Sequence, residues 1–256
     1  FRCPQLPAVS RKTAENAMIE NNSFAILQTA KLQKVFVTLH YTSYNKRERM
    51  IKACLFDLDG VVFDTEPLYT LFWHDMGRRY CPDIEGFEYA IKGQTLVQIF
   101  DRYFAGEEEV QRQITHRLDV YEQNMPYHYV SGFESFVKDL RSEGIRTAVV
   151  TSSNLDKMQN VYRSHPEFKD YFDVILTSED FAESKPSPDC YLRAAARFNV
   201  PVEACVVFED SINGLCSGIS SGARVIGLAT TNPAADIRRY THEVIRNYEG
   251  FTLSDD

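Results

Sequence analysis

The 256-residue chain lacks any cysteine pattern that would organise a fold. Its six cysteines, Cys3, Cys54, Cys81, Cys190, Cys205 and Cys216, include no Cys-x-x-Cys pair and no metal-type spacing. Cys54 and Cys205 lie inside apolar, strand-like runs, so the reading is buried free thiols in a reducing compartment rather than a disulfide framework. No apolar stretch approaches membrane-spanning length, and no N-terminal stretch joins a charged region to an apolar core; the expected location is cytoplasmic. Excess positive charge is also missing. Lys and Arg number 28 against 36 Asp and Glu, a net charge of −8, which speaks against non-specific binding to nucleic acid or to an acidic membrane surface. A phosphorylated substrate would need local help from a cation and a few lysines. Internal repeats and low-complexity segments are absent as well.

What is present is a 44% apolar content, enough for one large domain or two of moderate size. Nothing in it requires more than a monomer. Residues 1–49 differ from the rest, being polar and irregular, and Met50 directly precedes the first convincing strand. The expectation is a non-native or disordered extension over 1–49, with at most a stray strand at Val35–His40, and Met50 as the natural start.

From Met50 onward, short apolar strands alternate with helical patterns. Strands are expected at Ile51–Phe56, Ile145–Val150, Val174–Thr177, Ala204–Phe208 and Val225–Leu228. Helical apolar spacing fills Phe133–Leu140, Leu155–Arg163, Tyr191–Phe198 and Ile212–Gly222. This pattern predicts a doubly wound parallel α/β sheet with helices on both faces. Between Glu66 and Tyr129 there is no clear strand. Leu68, Leu71, Phe72 and Met76, then Leu96, Ile99, Phe100 and Tyr103, then Val110, Ile114, Leu118 and Tyr121 recur at helical spacing, which predicts an α-helical insert.

Four strand ends carry polar chemistry. In Phe56-Asp57-Leu58-Asp59-Gly60, a buried strand breaks into a turn with two carboxylates, which cost electrostatic energy unless a cation or a shared proton relieves them. An ordinary solvated turn is the alternative. Thr151-Ser152-Ser153-Asn154 ends the second strand in hydroxyls at a helix start, suited to an anion or simply to capping by Ser153 or Asn154. Lys185 precedes Pro186-Ser187-Pro188, where prolines fix the loop path. Glu209-Asp210-Ser211 repeats the delivery of carboxylates to a turn, and with Asp57 could form an all-oxygen site that fits Mg2+; the alternative is an acidic helix start.

Asp57-Leu58-Asp59-Gly60-Val61, Thr151-Ser152-Ser153-Asn154, Lys185-Pro186 and Glu209-Asp210-Ser211-x-x-Gly214, in this order, resemble the haloacid dehalogenase superfamily. The likeness is to its branch with a small helical cap that includes β-phosphoglucomutase-like phosphatases. It implies a Rossmann-like core over 50–65 and 129–256 and a helical cap over 66–128. It implies that Asp57 attacks phosphorus to form an aspartyl phosphate, and that Asp59 serves as acid and then base. Mg2+ would be held by Asp57, the backbone carbonyl of Asp59 and Asp210, with Glu209 nearby or contributing. Thr151 and Lys185 would hold the phosphoryl oxygens, with Ser152 and Asn154 as lesser candidates. Thr65 either orients Asp59 at the first hinge or caps the helix before Glu66-Pro67.

Within the superfamily, an acid at Asp59 points to phosphate monoesters, because the dehalogenases and phosphonate hydrolases lack it. Lys92 could suggest the phosphonate branch, but its neighbour Gly93 aligns the segment with an ordinary cap loop. Sugar-phosphate mutases of this branch carry a phosphate-gripping arginine after that loop, where this chain has Leu96; Arg78, Arg79 or Arg102 could substitute. The reading is therefore a Mg2+-dependent phosphatase acting on a small phosphorylated metabolite. A mutase is the alternative, and a catalytically silent binding module is a third. Specificity is expected on the cap face, around Gln94, Thr95 and His74.

Overall fold

Phe56 ends a run of four fully buried apolar residues, β1 (Ala53–Phe56), which lies in the middle of a six-stranded sheet. The computed structural model describes residues 51–254. The extension expected over 1–49, its stray strand, Met50 as the start and Cys3 lie outside the described residues.

After β1 the chain passes through α1 (Glu66–Tyr80), α2 (Phe87–Ala90), α3 (Leu96–Tyr103) and α4 (Glu108–Asn124), then α5 (Phe133–Ser142) and β2 (Arg146–Val150). Strands and helices then alternate: α6 (Leu155–Ser164), β3 (Val174–Leu176), α7 (Asp189–Phe198), β4 (Cys205–Glu209), α8 (Ile212–Ser221), β5 (Arg224–Leu228), α9 (Ala234–Ile237) and β6 (Val244–Ile245). All pairings are parallel, in the order β3-β2-β1-β4-β5-β6. This is the doubly wound order whose direction reverses beside β1, and the crevice outside that reversal is where open α/β sheets bind ligands.

Alternation along the strands divides the core. Cys54, Phe56, Val149, Val206 and Phe208 face α5 and α6, where Phe56 stacks on Phe208 at 4.7 Å. Leu55, Ala148, Val150 and Val207 face the other way, onto Tyr191 and Ala194 of α7 and Leu215 of α8. The five expected strands are present to within two residues at each end. β6 was not foreseen, because two residues are too short to carry a period.

The insert is helical as expected and has its own apolar cluster, including Phe72, Trp73, Met76, Phe87, Ile99 and Ile114. Leu71 departs from the predicted stripe and is 65% exposed. Successive helical residues are about 100° apart, and the buried stripe is centred on Phe72 and Trp73, which rotates Leu71 outward. The cysteines among the described residues are free, with Cys54, Cys190 and Cys205 buried. No helix among the described residues is long and apolar enough to cross a membrane.

Candidate active site

Asp57 leaves β1 directly after Phe56, its N–H still donating to the Phe208 carbonyl of β4 at 3.1 Å. Pairing of Phe56 with Phe208 brings the Asp57 and Glu209 levels together, so two consecutive acidic strand ends meet. A tight turn follows, with the Gly60 N–H on the Phe63 carbonyl at 2.7 Å. Gly60 has φ +74°, and a Cβ there would overlap the Asp210 carboxyl group. The glycine therefore supplies both the turn and the space into which Asp210 fits.

Lys185 spends its three donors on this corner. Its ammonium bonds to Asp57 Oδ1 at 2.6 Å, Glu209 Oε1 at 2.6 Å and the Val150 carbonyl at 3.1 Å. Glu209 is fully buried in β4 and held on both oxygens. Tyr191 donates to Oε1 at 2.7 Å, and Oε2 accepts from the Asp210 N–H at 3.1 Å and from Ser211 Oγ at 3.3 Å. Gly214 makes this possible, since a Cβ at that position would overlap the Glu209 carboxyl group. Asp210 accepts from Thr231 Oγ1 on Oδ2.

Buried negative charge is in excess here. Burial pushes the Asp57 carboxyl up to about 7, with Lys185 pulling it down and Glu209 pushing it further up. Asp210 is raised well above the usual carboxylate range by burial, then by Glu209, Glu66 and Asp57. Asp57, Glu209 and Asp210 each offer an oxygen within 4.8 Å of the others. An all-oxygen set with uncompensated charge suits a hard divalent cation. Asp57 and Asp210 have more room for one than Glu209, whose oxygens are already engaged.

Asp59 is held by three donors. Thr65 Oγ1 gives a hydrogen bond to Oδ1 at 2.6 Å, Ser153 Oγ gives one to Oδ2 at 3.2 Å, and the Lys157 ammonium pairs with Oδ2. Thr65 makes no side-chain cap to α1, so its hydroxyl serves Asp59 rather than the helix. Of the anion-loop residues, Asn154 caps α6, its Oδ1 accepting from the Lys157 N–H at 2.9 Å. Thr151 Oγ1, buried, accepts from the Ser153 N–H at 3.0 Å.

These groups open into a cavity of about 450 Å³ between the strand ends and the inserted helices. The loop before α3 reaches the core. Asn213 Nδ2 donates to the Gly93 carbonyl at 2.9 Å, and Lys92 Nζ to the Thr231 carbonyl at 3.3 Å. Gln94 and Thr95 line the cavity, as does Leu96, although Thr95 also caps α3 in a reciprocal pair with Gln98. His74 is not part of the lining. It is paired with Glu88 at 3.2 Å and its side chain is 51% exposed. Arg78, Arg79 and Arg102 also stand outside the lining.

A haloacid dehalogenase-like hydrolase family profile matches residues 51–222, which spans every group described above except Thr231. The chain belongs to this family. Among its curated relatives, the probable pseudouridine-5'-phosphatase of Drosophila melanogaster is 28% identical over 71% of this chain and 83% of its own length. Hexitol phosphatase B of Escherichia coli K12 is 28% identical over 73% and 86%. The crystal structure of a family IA haloacid dehalogenase hydrolase from Entamoeba histolytica superposes with a TM-score of 0.70, at 24% identity, over 80% of this chain and 96% of that one.

Set in this haloacid dehalogenase-like frame, several groups at the site were not read from the sequence. Lys157 follows the anion loop by three residues, inside a helical pattern where lysines are ordinarily solvated, yet it is only 5% exposed. Tyr191 fits the apolar stripe of α7 and passes for plain core. Thr231 lies in no motif. Glu66, the first residue of the insert, resembles any acidic helix start, but burial and Asp59 raise its carboxyl in the cavity wall.

Proposed function

We propose that the protein is a Mg2+-dependent phosphatase that hydrolyses a small phosphorylated metabolite through an aspartyl phosphate on Asp57. The observation that carries this reading is the division of labour between two neighbouring carboxylates. Asp57 faces Lys185 and the acidic corner at Asp210, whereas Asp59 faces Thr65, Ser153 and Lys157. Phosphatase is also the activity named for the Drosophila and E. coli relatives.

In the first step an Asp57 oxygen bonds to phosphorus, the P–O ester bond breaks, and Asp59 donates a proton to the departing oxygen. Water then attacks the phosphorus of the aspartyl phosphate and Asp59 takes its proton, which releases phosphate and restores Asp57. Thr151 and Lys185 hold the phosphoryl oxygens, Lys185 by exchanging one of its three present acceptors for the phosphoryl group, with Ser152 and Asn154 assisting. Asp57, Asp210 and the Asp59 backbone carbonyl are the groups that would hold Mg2+. When bound there, the ion would supply the positive charge that lets the Asp57 carboxylate approach a phosphate dianion. Residues 66–128 serve as the cap over a core of 50–65 and 129–256, and present Gln94 and Thr95 to the leaving group.

The mutase alternative needs a cap cation for a second phosphate. Leu96 lines the cavity where that arginine would stand, and Arg78, Arg79 and Arg102 do not reach it. Phosphate release from a panel of sugar, polyol and nucleoside monophosphates, with Mg2+ and with chelator, tests the proposal. Mg2+-dependent release that disappears in Asp57→Asn supports it. Isomerisation without release would favour the mutase, and a protein inert on the whole panel would favour the binding module.

A further inference from the structure

Charge in the cavity wall is unbalanced: among the described residues the lining holds six carboxylates, three ammonium groups and no arginine. Each ammonium is already engaged. Lys185 is shared by Asp57 and Glu209. Lys92 lies 3.8 Å from Glu66 and donates to the Thr231 carbonyl. Lys157 is paired with Asp59 and sits 4.7 Å from the centre of the Tyr69 ring.

Glu122 of α4 closes the Lys157 side. Tyr69 donates to Glu122 Oε1 at 2.7 Å, so one tyrosine places its ring against the ammonium and its hydroxyl on a second carboxylate. Burial raises the Glu122 carboxyl while Lys157 pulls it back, and Glu122 in turn favours the Lys157 ammonium. Under the phosphatase reading, Lys185 and the divalent cation are committed to the transferred phosphoryl group. No uncommitted cation in the lining is left to meet a second anion. The remaining polar lining, including Thr70, Gln94, Ser152 and Ser178, is neutral.

We propose that Glu122, set against Lys157 by Tyr69, is a specificity-determining residue that makes the cavity reject phosphate esters bearing a second anionic group. The substrate class is then the monophosphate ester of an uncharged, hydroxyl-bearing alcohol. This inference rests on the phosphatase reading, because it concerns the leaving group of that reaction. Discrimination comes from leaving the substrate's second anion without a cation beside the Glu122 carboxylate, rather than from a better fit to the correct substrate.

The test compares glycerol 3-phosphate with 3-phosphoglycerate, which differ by a hydroxymethyl group against a carboxylate, with p-nitrophenyl phosphate as the control for turnover. Specificity is read as kcat/KM, or as Ki against p-nitrophenyl phosphate where turnover is slow, on the full chain with Mg2+. The expected preference for the glycerol ester is about tenfold or more, above the roughly fivefold of a like-charge contact at about 4 Å in bulk water and below the roughly 1,000-fold of one near a protein surface. Glu122→Gln and, independently, Tyr69→Phe should narrow that ratio about fivefold by improving 3-phosphoglycerate. Equal specificity for the two esters in the unaltered protein overturns the inference, as does an unchanged ratio in the folded variants. Failure to turn over any of the three esters overturns the phosphatase reading itself, whereas turnover without discrimination overturns only the role of Glu122.

Discussion

Lys157 enters the cavity from the first turn of α6 and forms an ion pair with Asp59, the residue two places beyond Asp57. Two further donors, Thr65 and Ser153, fix the same carboxyl group. In the acid-base role proposed for it, Asp59 held from three sides is pre-positioned for proton transfer, which contributes about 10²–10⁴-fold in rate where the leaving group needs a proton.

Lys157→Met should therefore slow hydrolysis of an alkyl phosphate by about 10–100-fold, a part of that contribution. p-Nitrophenyl phosphate should lose far less, because its leaving group departs without protonation. The ratio of kcat/KM for the two substrates checks this, because it reports only the steps through formation of the aspartyl phosphate and not the hydrolysis both substrates share. Equal loss on both would mean that Lys157 is needed for the fold alone, and Lys157→Arg should recover part of the alkyl activity.

Gly214→Ala should destabilise the protein by about 2 kcal/mol or more, the usual range for forcing extra volume into a packed site, with the Glu209 hydrogen bonds lost in addition. The added Cβ falls on the Glu209 carboxyl group, which Lys185 and Tyr191 hold in place. Urea unfolding measures it, and a change below about 0.5 kcal/mol, typical of an indifferent surface site, would contradict the packing described.

The acidic corner predicts how pH and metal interact. Folding raises the Asp57 pKa to about 7 and raises that of Asp210 as well, so both groups are harder to ionise in the folded state. The stability linked to Asp57 is present at pH below the unfolded carboxylate value of about 4 and is lost as pH rises through about 7, and that linked to Asp210 is lost in the same direction. A divalent cation reverses the penalty only where the carboxylates are ionised. Mg2+ should thus raise Tm more at pH 8 than at pH 6, measured against the same protein in chelator. A larger rise at pH 6 would contradict the placement of the ion.

Asp210→Asn removes one charge from that corner but leaves Asp57 and Lys185 in place. The Mg2+ concentration for half-maximal activity should rise about tenfold or more, in keeping with the loss of a hard anionic ligand. Unchanged Mg2+ dependence would move the ion elsewhere.

The sheet was legible because β1, β2, β4 and β5 are apolar runs of ordinary strand length between helical patterns, and β6 was not because two residues carry no period. The charged corner was legible because Asp57, Asp59, Lys185, Glu209 and Asp210 sit at strand ends or in a proline-fixed loop, where residue type and position speak together. Lys157 and Tyr191 were hidden for the opposite reason. Each occupies a place in the first turn of a helix whose ordinary meaning is solvent or core, and only the packing of α6 and α7 against the strand ends turns them inward. Thr65 left two readings open until its hydroxyl was found on Asp59. His74 had two readings, a polar group on the cap face or helix packing beside Trp73; Trp73 lines the cavity, whereas His74, at an adjacent and diverging helical position, pairs with Glu88 outside the lining.

The central claim is that Asp57 carries the phosphoryl group, and borohydride trapping tests it most directly. Enzyme quenched during turnover and reduced should yield homoserine in the peptide at position 57, at a level that depends on substrate and Mg2+. Turnover with no modification at Asp57, or phosphate release that persists in Asp57→Asn, would contradict the account.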